Sequence, residues 1–290
     1  MPVFYHTLLD WRNADYKNDF PAYLKYLRKS IEILCTHYGK IGGFWFDGMW
    51  NKPDSDWEED ALYGMIRSYQ PEAMLINNTG LSKLGKIGNP ELDSVTFERG
   101  KPTFVDSSDK HRAGEMCQIL NDHWAYAEND CNYKSTGELI ENLVECRKYN
   151  CNFLLNVGLK GNGMFRDIDK AVFGVIGKWM KYNGECIYSV KNSGITLTDE
   201  KDFILKSNDG KTLYLIIHEL PMSADPNVFQ KSTEKSQISF PFNGKIKYMK
   251  WLDGGKVIYD QYKNIVSVIL APFPYGKELV VRVVKISGNL

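Results

Sequence analysis

A chain of 290 residues with 43% hydrophobic and 13% aromatic content can bury a large core and a smaller second one, which excludes a disordered protein. Its 36 basic and 36 acidic side chains cancel, so no net field draws in nucleic acid or an anionic membrane, and the expected partner is small or neutral. No apolar run reaches the roughly 20 residues of a membrane span, and "MPVFYHTLLDW" carries no basic-then-apolar leader, so the sequence as written reads as cytoplasmic. The six cysteines form no C-x-x-C pair and have no matching histidine cluster, so no metal site is expected and buried thiols are the default.

In chain order, "VFYHTLL" reads as a strand, followed by a helix with Phe20, Tyr23, Leu24, Leu27, Ile31 and Leu34 on one stripe. "GGFWFDG" is a second strand, and Leu62, Met65, Ile66 and Tyr69 mark the helix after it. "AMLINN" and "DSVTFE" follow as strands, then a helix around Leu139, Ile140, Leu143 and Val144, the strand "CNFLLNVG", and a helix centred on Val172, Ile176 and Trp179. Short apolar strands alternating with amphipathic helices predict an α/β domain with a parallel sheet over residues 1–183. From residue 184 the texture changes to "CIYSV", "GITLT", "KDFILKS", "KTLYLIIHEL", "SQISFPF", "KIKYMKWL", "KVIYD", "IVSVIL" and "KELVVRVV". These short strands, broken by Gly, Asn and Asp turns, predict an antiparallel β-sandwich over residues 184–290.

The stretch "IGGFWFDGMW" sets one carboxylate, Asp47, among aromatics. Strand alternation turns Phe44 and Phe46 one way and Trp45 and Asp47 the other. Asp47 stands at the strand's carboxyl end, the edge where parallel α/β domains gather reactive groups. An aspartate before a glycine can equally cap the turn. Glu98 ends "DSVTFE" in the same relative place, and can equally pair with Arg99 at the surface. Two carboxylates on separate strand ends suit a glycosidase, in which one attacks or activates water and the other protonates the leaving oxygen. Trp45 and its aromatic neighbours supply planes on which a sugar ring stacks, and Asn77 and Asn78 end "AMLINN" at the level where polar groups face a ligand.

The segments "FYHTLLDW", "GKIGGFWFDGMW", "AMLINNTG", "DSVTFERGKP" and "EMCQILNDHWAYAENDCNYKSTGELIENLVECRKYNCNFLLNVG", in this order, resemble the α-L-fucosidases of glycoside hydrolase family 29. The resemblance runs through most of residues 3–183, and the β-rich remainder is similar to that family's C-terminal sandwich. It implies a (β/α)8-type barrel and retaining hydrolysis of α-L-fucose through a covalent fucosyl-enzyme, with no cofactor and a fucosylated oligosaccharide or glycoconjugate as partner. On the matching positions Asp47 is the nucleophile and Glu98 the general acid/base, while Tyr5, His6, Trp11 and Trp124 fall where the family lines its sugar pocket, with Trp45 and Asn78 as further contacts. "NNTG" and "FERG" resemble the branch acting on fucose joined to the 3- or 4-position of a branched glycan. Glu115 in "AGEMCQIL" is expected to serve a structural hydrogen bond, and the acidic run from Asp54 to Asp60 to complement a helix N-terminus.

Residues 3–183 supply only five or six of the eight strand–helix units of such a barrel, and the segment that precedes "FYHTLLDW" in full-length relatives has no counterpart. An open sheet exposes unpaired edges. The expected barrel is therefore incomplete, and a second chain or a second copy is a candidate to complete it. The alternative function is a catalytically weak or silent glycan-binding or structural relic of the same family. A retaining glycosidase for another sugar is a third reading.

Overall fold

The computed structural model describes residues 1–106, 110–223, 235–274 and 280–289. Its first sheet holds six strands in chain order: β1 (Val3–Thr7), β2 (Gly43–Asp47), β3 (Met74–Asn77), β4 (Ser94–Thr96), β5 (Ala113–Ile119) and β6 (Cys151–Asn156). Strands β1 to β5 pair in parallel, each with its predecessor. Parallel neighbours need crossover connections, and here the first two crossovers carry helices.

Helix α1 (Ala14–Asn18) leads into α2 (Phe20–His37), which starts where the Asp19 side chain accepts the Ala22 N–H at 3.1 Å. Its buried stripe is Tyr23, Leu24, Leu27, Ile31 and Cys35, the helical spacing expected of a core face. With α3 (Glu59–Tyr69), this stripe covers Phe44 and Phe46, both fully buried. Each large apolar side chain in that layer contributes on the order of 2 kcal/mol. The opposite face of β2 is left to Trp45 and Asp47.

Strand β5 is a correction to the sequence reading, which passed from "DSVTFE" directly to a helix. "AGEMCQI" shows no alternation because every residue after Ala113 is buried, and sheets covered on both faces lose the period-2 signal. The regular strand–helix alternation also lapses. Among the described residues, the connections after β3 and β4 hold no α-helix, only a 3-10 turn at Leu81–Lys83.

Further along come α4 (Thr136–Lys148), α5 (Asp167–Asn183) and the strands β7 (Val190–Asn192), β8 (Phe203–Ser207), β9 (Thr212–His218), β10 (Met222–Ser223), β11 (Gln237–Pro241), β12 (Lys245–Trp251), β13 (Ile258–Tyr262), β14 (Ile265–Ile269), β15 (Phe273–Pro274) and β16 (Val281–Asn289). One antiparallel sheet runs β12-β16-β9-β8-β7 and another β11-β14-β13, while β10 and β15 pair separately. Leu213, Leu215 and Ile217 of β9 share a core with Ile238, Phe240, Val266 and Val268 of the smaller sheet. Tyr214 and Ile216, pointing the other way, join Ile140, Val144 and Trp179 of α4 and α5. Burial on both faces explains the unbroken run "LYLII". "GITLT", expected as a strand, forms none; Ile195 and Leu197 instead pack on this core from an irregular segment. Residues 277–279 of the last expected strand lie outside the described residues. By packing, the chain divides into Met1–Gln118 with Cys151–Leu154, and Ile119–Asn150 with Leu155–Leu290; the texture change at residue 184 falls inside the second unit.

Two glycines test this packing in opposite directions. A Cβ on Gly43 would sit 2.2 Å from the Met74 carbonyl oxygen, whereas one on Gly64, exposed on α3, meets nothing within 4 Å. Gly43→Ala is expected to cost about 4 kcal/mol, and Gly64→Ala to stabilise by about 0.8 kcal/mol, both read from urea midpoints.

Candidate active site

The strands of the first sheet and the residues just after them deliver polar and aromatic groups to the face opposite α2 and α3. In β2, Asp47 is half-buried at the carboxyl end. Gly48 follows with φ +108°, and a Cβ there would strike Leu9 at 2.9 Å, so glycine is required for the turn. Its N–H donates to Asp47 Oδ1 at 2.8 Å, which is the capping bond anticipated for an aspartate at a turn. The turn is a short 3-10 segment, Met49–Asn51, and brings Trp50 back so that its indole N–H also donates to Oδ1, at 3.0 Å. From β1, the Tyr5 hydroxyl donates to Asp47 Oδ2 at 2.8 Å. Burial, reinforced by the bond to Asp47 and the charges of Asp47 and Glu98, holds the Tyr5 phenol well above its ordinary pKa, so it remains a donor across the neutral range.

Asn78, the residue after β3, joins the two strand-end carboxylates. Its Oδ1 accepts from the Thr96 hydroxyl at 3.0 Å and the Gly80 N–H at 3.2 Å. Those two donors fix the amide so that Nδ2 points at the acids, donating to Asp47 Oδ1 at 3.3 Å and to Glu98 Oε2 at 2.7 Å. The two bond lengths, laid end to end, cap the separation of these carboxylate oxygens at 6.0 Å. The cap places Asp47 and Glu98 at one site.

Trp45 stacks on Tyr5, with ring centroids 5.6 Å apart and planes inclined by 21°. Its indole N–H donates to Glu115 Oε1 on β5 at 2.8 Å. Strands β2 and β5 are three places apart, about 14 Å in a flat sheet. A direct bond between their side chains requires the sheet to curl, with this face concave. The other Glu115 oxygen accepts from Asn152 of β6 at 2.7 Å. Glu115 is thus a brace, with both oxygens occupied and 7% of its surface exposed. Beneath the acids, burial and then the charges of Glu98, Glu115 and Asp47 push the Cys117 thiol up to about 12.

His6 is a correction. It pairs in register with Phe46, which faces the helices, and its ring lies edge-on to Phe46 at 6.2 Å between centroids. Consecutive strand residues face opposite ways, so Tyr5 and His6 cannot both enter the site. Trp11 is 59% exposed and acts on the site's rim through Asn51, whose Oδ1 accepts its indole N–H at 3.2 Å and the Tyr16 hydroxyl at 2.7 Å. Trp124 belongs to the second packing unit, where its carbonyl accepts from Asn156 Nδ2 at 2.6 Å. Trp50 and Asn152 escaped the sequence reading. An indole three residues past an aspartate, across a glycine turn, is a signal for Trp50; nothing local marks Asn152.

The family profile described as Alpha-L-fucosidase matches residues 1–185. Among curated relatives, the tissue alpha-L-fucosidase of Bos taurus is 26% identical over 231 residues, covering 75% of this chain and 47% of its own length. The chain therefore spans about half the length of that relative. Among solved structures, alpha-L-fucosidase isoenzyme 1 from Paenibacillus thiaminolyticus superposes with a TM-score of 0.73 at 24% identity, covering 99% of this chain and 72% of that one. A family 29 enzyme from Bacteroides thetaiotaomicron, solved as a trapped covalent intermediate with 2-fluoro-fucosyl fluoride, also gives 0.73, at 19% identity, 99% of this chain and 68% of that one.

His6 carries a pH prediction. Burial lowers its pKa, and its Nδ1 is buried without a partner. The folded state resists the proton that the unfolded chain accepts below about pH 6.5. Stability from this group is therefore full above that pH and lost as pH falls toward the lower folded pKa. His6→Phe is expected to show a smaller drop in Tm than the parent between pH 7.5 and pH 5.5; equal drops would contradict the burial argument.

Proposed function

The chain belongs to the alpha-L-fucosidase family, and we propose that it hydrolyses terminal α-L-fucose from glycans with retention, using Asp47 as nucleophile and Glu98 as acid and base. The observation that carries this reading is the Asn78 amide held between the two acids. Retaining glycosidases set their carboxyl groups roughly 5–5.5 Å apart, and the cap of 6.0 Å agrees with that spacing.

In this mechanism Asp47 attacks the anomeric carbon while Glu98 protonates the departing oxygen. The Gly48 and Trp50 N–H groups donate to Oδ1 and hold the Asp47 carboxylate in its orientation. Tyr5 holds Oδ2, the second oxygen of the nucleophile. A covalent fucosyl-enzyme forms, the leaving sugar departs, and Glu98, now a carboxylate, takes a proton from the water that attacks the same carbon. Asp47 is released. The stacked rings of Trp45 and Tyr5 form the aromatic wall of the sugar site, and Asn78 sets the distance between the acids.

The six-stranded sheet is then an arc of a (β/α)8 barrel, completed by strands from elsewhere, and the antiparallel sheets form the accompanying sandwich. The exposure of the edge strand, with Val3 at 44% and Tyr5 at 65%, favours one second reading: that this chain alone is a silent relic. Turnover of 4-nitrophenyl α-L-fucoside decides between them. Asp47→Ala is expected to lower kcat by on the order of 10^3-fold or more. Glu98→Gln is expected to lower kcat/KM on a fucosyl oligosaccharide by roughly 10^2 to 10^4-fold, and far less on the aryl substrate, whose leaving group needs no proton. An Asp47→Ala protein as fast as the parent would end the assignment; a folded parent with no turnover would favour the relic.

A further inference from the structure

The turn after β2 is held by the loop and helix that follow β1. Its Trp50 indole N–H donates to Asp47 Oδ1 at 3.0 Å, yet Trp50 is 48% exposed, so packing alone does not fix that ring. We infer that Tyr16 and Asn51 form a clamp that sets the Trp50 indole on the Asp47 carboxylate, which makes both of them positioning residues for the nucleophile. This inference rests on the fucosidase reading above.

The clamp grips the two residues that follow Trp50. Asn51 Oδ1 accepts from the Tyr16 hydroxyl of α1 at 2.7 Å and from the Trp11 indole N–H at 3.2 Å. Two donors on one oxygen hold that side chain, and with it the backbone next to Trp50. Lys52 is gripped by the same tyrosine, its ammonium lying 5.0 Å from the centre of the Tyr16 ring and 4.9 Å from that of Phe20. The Lys52 carbonyl accepts the Trp57 indole N–H at 3.1 Å. Tyr16 therefore holds the turn twice, through its hydroxyl and through its ring.

Burial makes Tyr16 a fixed point. It is 2% exposed and stands edge-on to Tyr23 and Phe20, with ring centroids 5.0 and 5.8 Å away. Burial also raises its pKa, so the hydroxyl keeps the proton it donates. Trp11 is placed by its own loop, where Asp10 Oδ1 accepts the Arg12 N–H at 3.0 Å and the Asn13 N–H at 3.3 Å. Of the three donors to Asp47 Oδ1, the Gly48 N–H is adjacent in the chain and the Asn78 amide is locked by Thr96 and Gly80. The third, the Trp50 indole, depends on where the turn is held. A misplacement of about 1 Å in an attacking group costs roughly 10^2-fold in rate, so a loosened turn reaches the chemistry.

Three variants test the clamp: Asn51→Ala; Asn51→Asp, which keeps an oxygen for both donors; and Tyr16→Phe, which keeps the ring and loses only the hydroxyl. On 4-nitrophenyl α-L-fucoside, kcat is expected to fall about tenfold in Asn51→Ala and less in Tyr16→Phe, with KM unchanged, while Asn51→Asp recovers most of the loss. In a Trp50→Phe background, Asn51→Ala is expected to cost nothing further, because the donor it positions is already gone. A drop in Tm with kcat unchanged, or losses that multiply in the double variant, would overturn the proposal. A second arm needs no turnover: in the isotope-labelled chain, the Trp50 indole N–H is expected to exchange with solvent about tenfold faster in Asn51→Ala than in the parent. Equal exchange rates would overturn the clamp. If the parent cleaves nothing, the catalytic reading fails, and the exchange arm still decides whether Asn51 holds Trp50.

Discussion

The Asn78 side-chain amide is the constraint on which the candidate site depends. Two carboxyl groups brought together at strand ends need a donor between them to hold their acceptor oxygens at a fixed spacing. Asn78 does this with one nitrogen, and its oxygen is locked by Thr96 and Gly80 so that the amide cannot turn over. Since Asn78 follows β3, Asp47 ends β2 and Glu98 follows β4, the amide ties three consecutive strand ends at one edge. Parallel pairing makes this possible, because it brings all three carboxyl ends to the same side.

Curvature supplies the rest. The bond from Trp45 to Glu115 crosses two intervening strands, so it exists only because the sheet curls over that face. Glu115 is further held by Asn152, and the pair of bonds makes a carboxylate into a brace, leaving Asp47 and Glu98 as the half-buried acids within reach of solvent. The opposite face is filled by α2 and α3, whose apolar stripes fix β2 so that alternation alone decides which side chains point inward.

Much of this is legible in local sequence. Asp47 stands out because an aspartate before a glycine ends a strand otherwise made of aromatics, and alternation assigns Trp45 to its side. The same rule, applied to "FYHT", already separates Tyr5 from His6. The residues that escaped reading are those whose meaning depends on curvature or on burial of both faces. β5 lacks alternation because it has no solvent face, and Asn152 meets Glu115 only across a curled sheet. The sequence reading passes from "AMLINN" to "DSVTFE" with no helix between them, and the structure holds only the 3-10 turn at Leu81–Lys83 there. "GITLT" has strand composition, yet its Ile195 and Leu197 are used as packing from an irregular segment.

The central claim is that the carboxylate of residue 47 forms a bond to the sugar. Incubation of the chain with a 2-fluoro-fucosyl fluoride, followed by proteolysis and peptide mass mapping, measures this directly. The proposed roles require one fucosyl label, on the peptide carrying "WFDG" and at Asp47 within it. A label on Glu98 or Glu115, or a folded chain that takes up none, would contradict them.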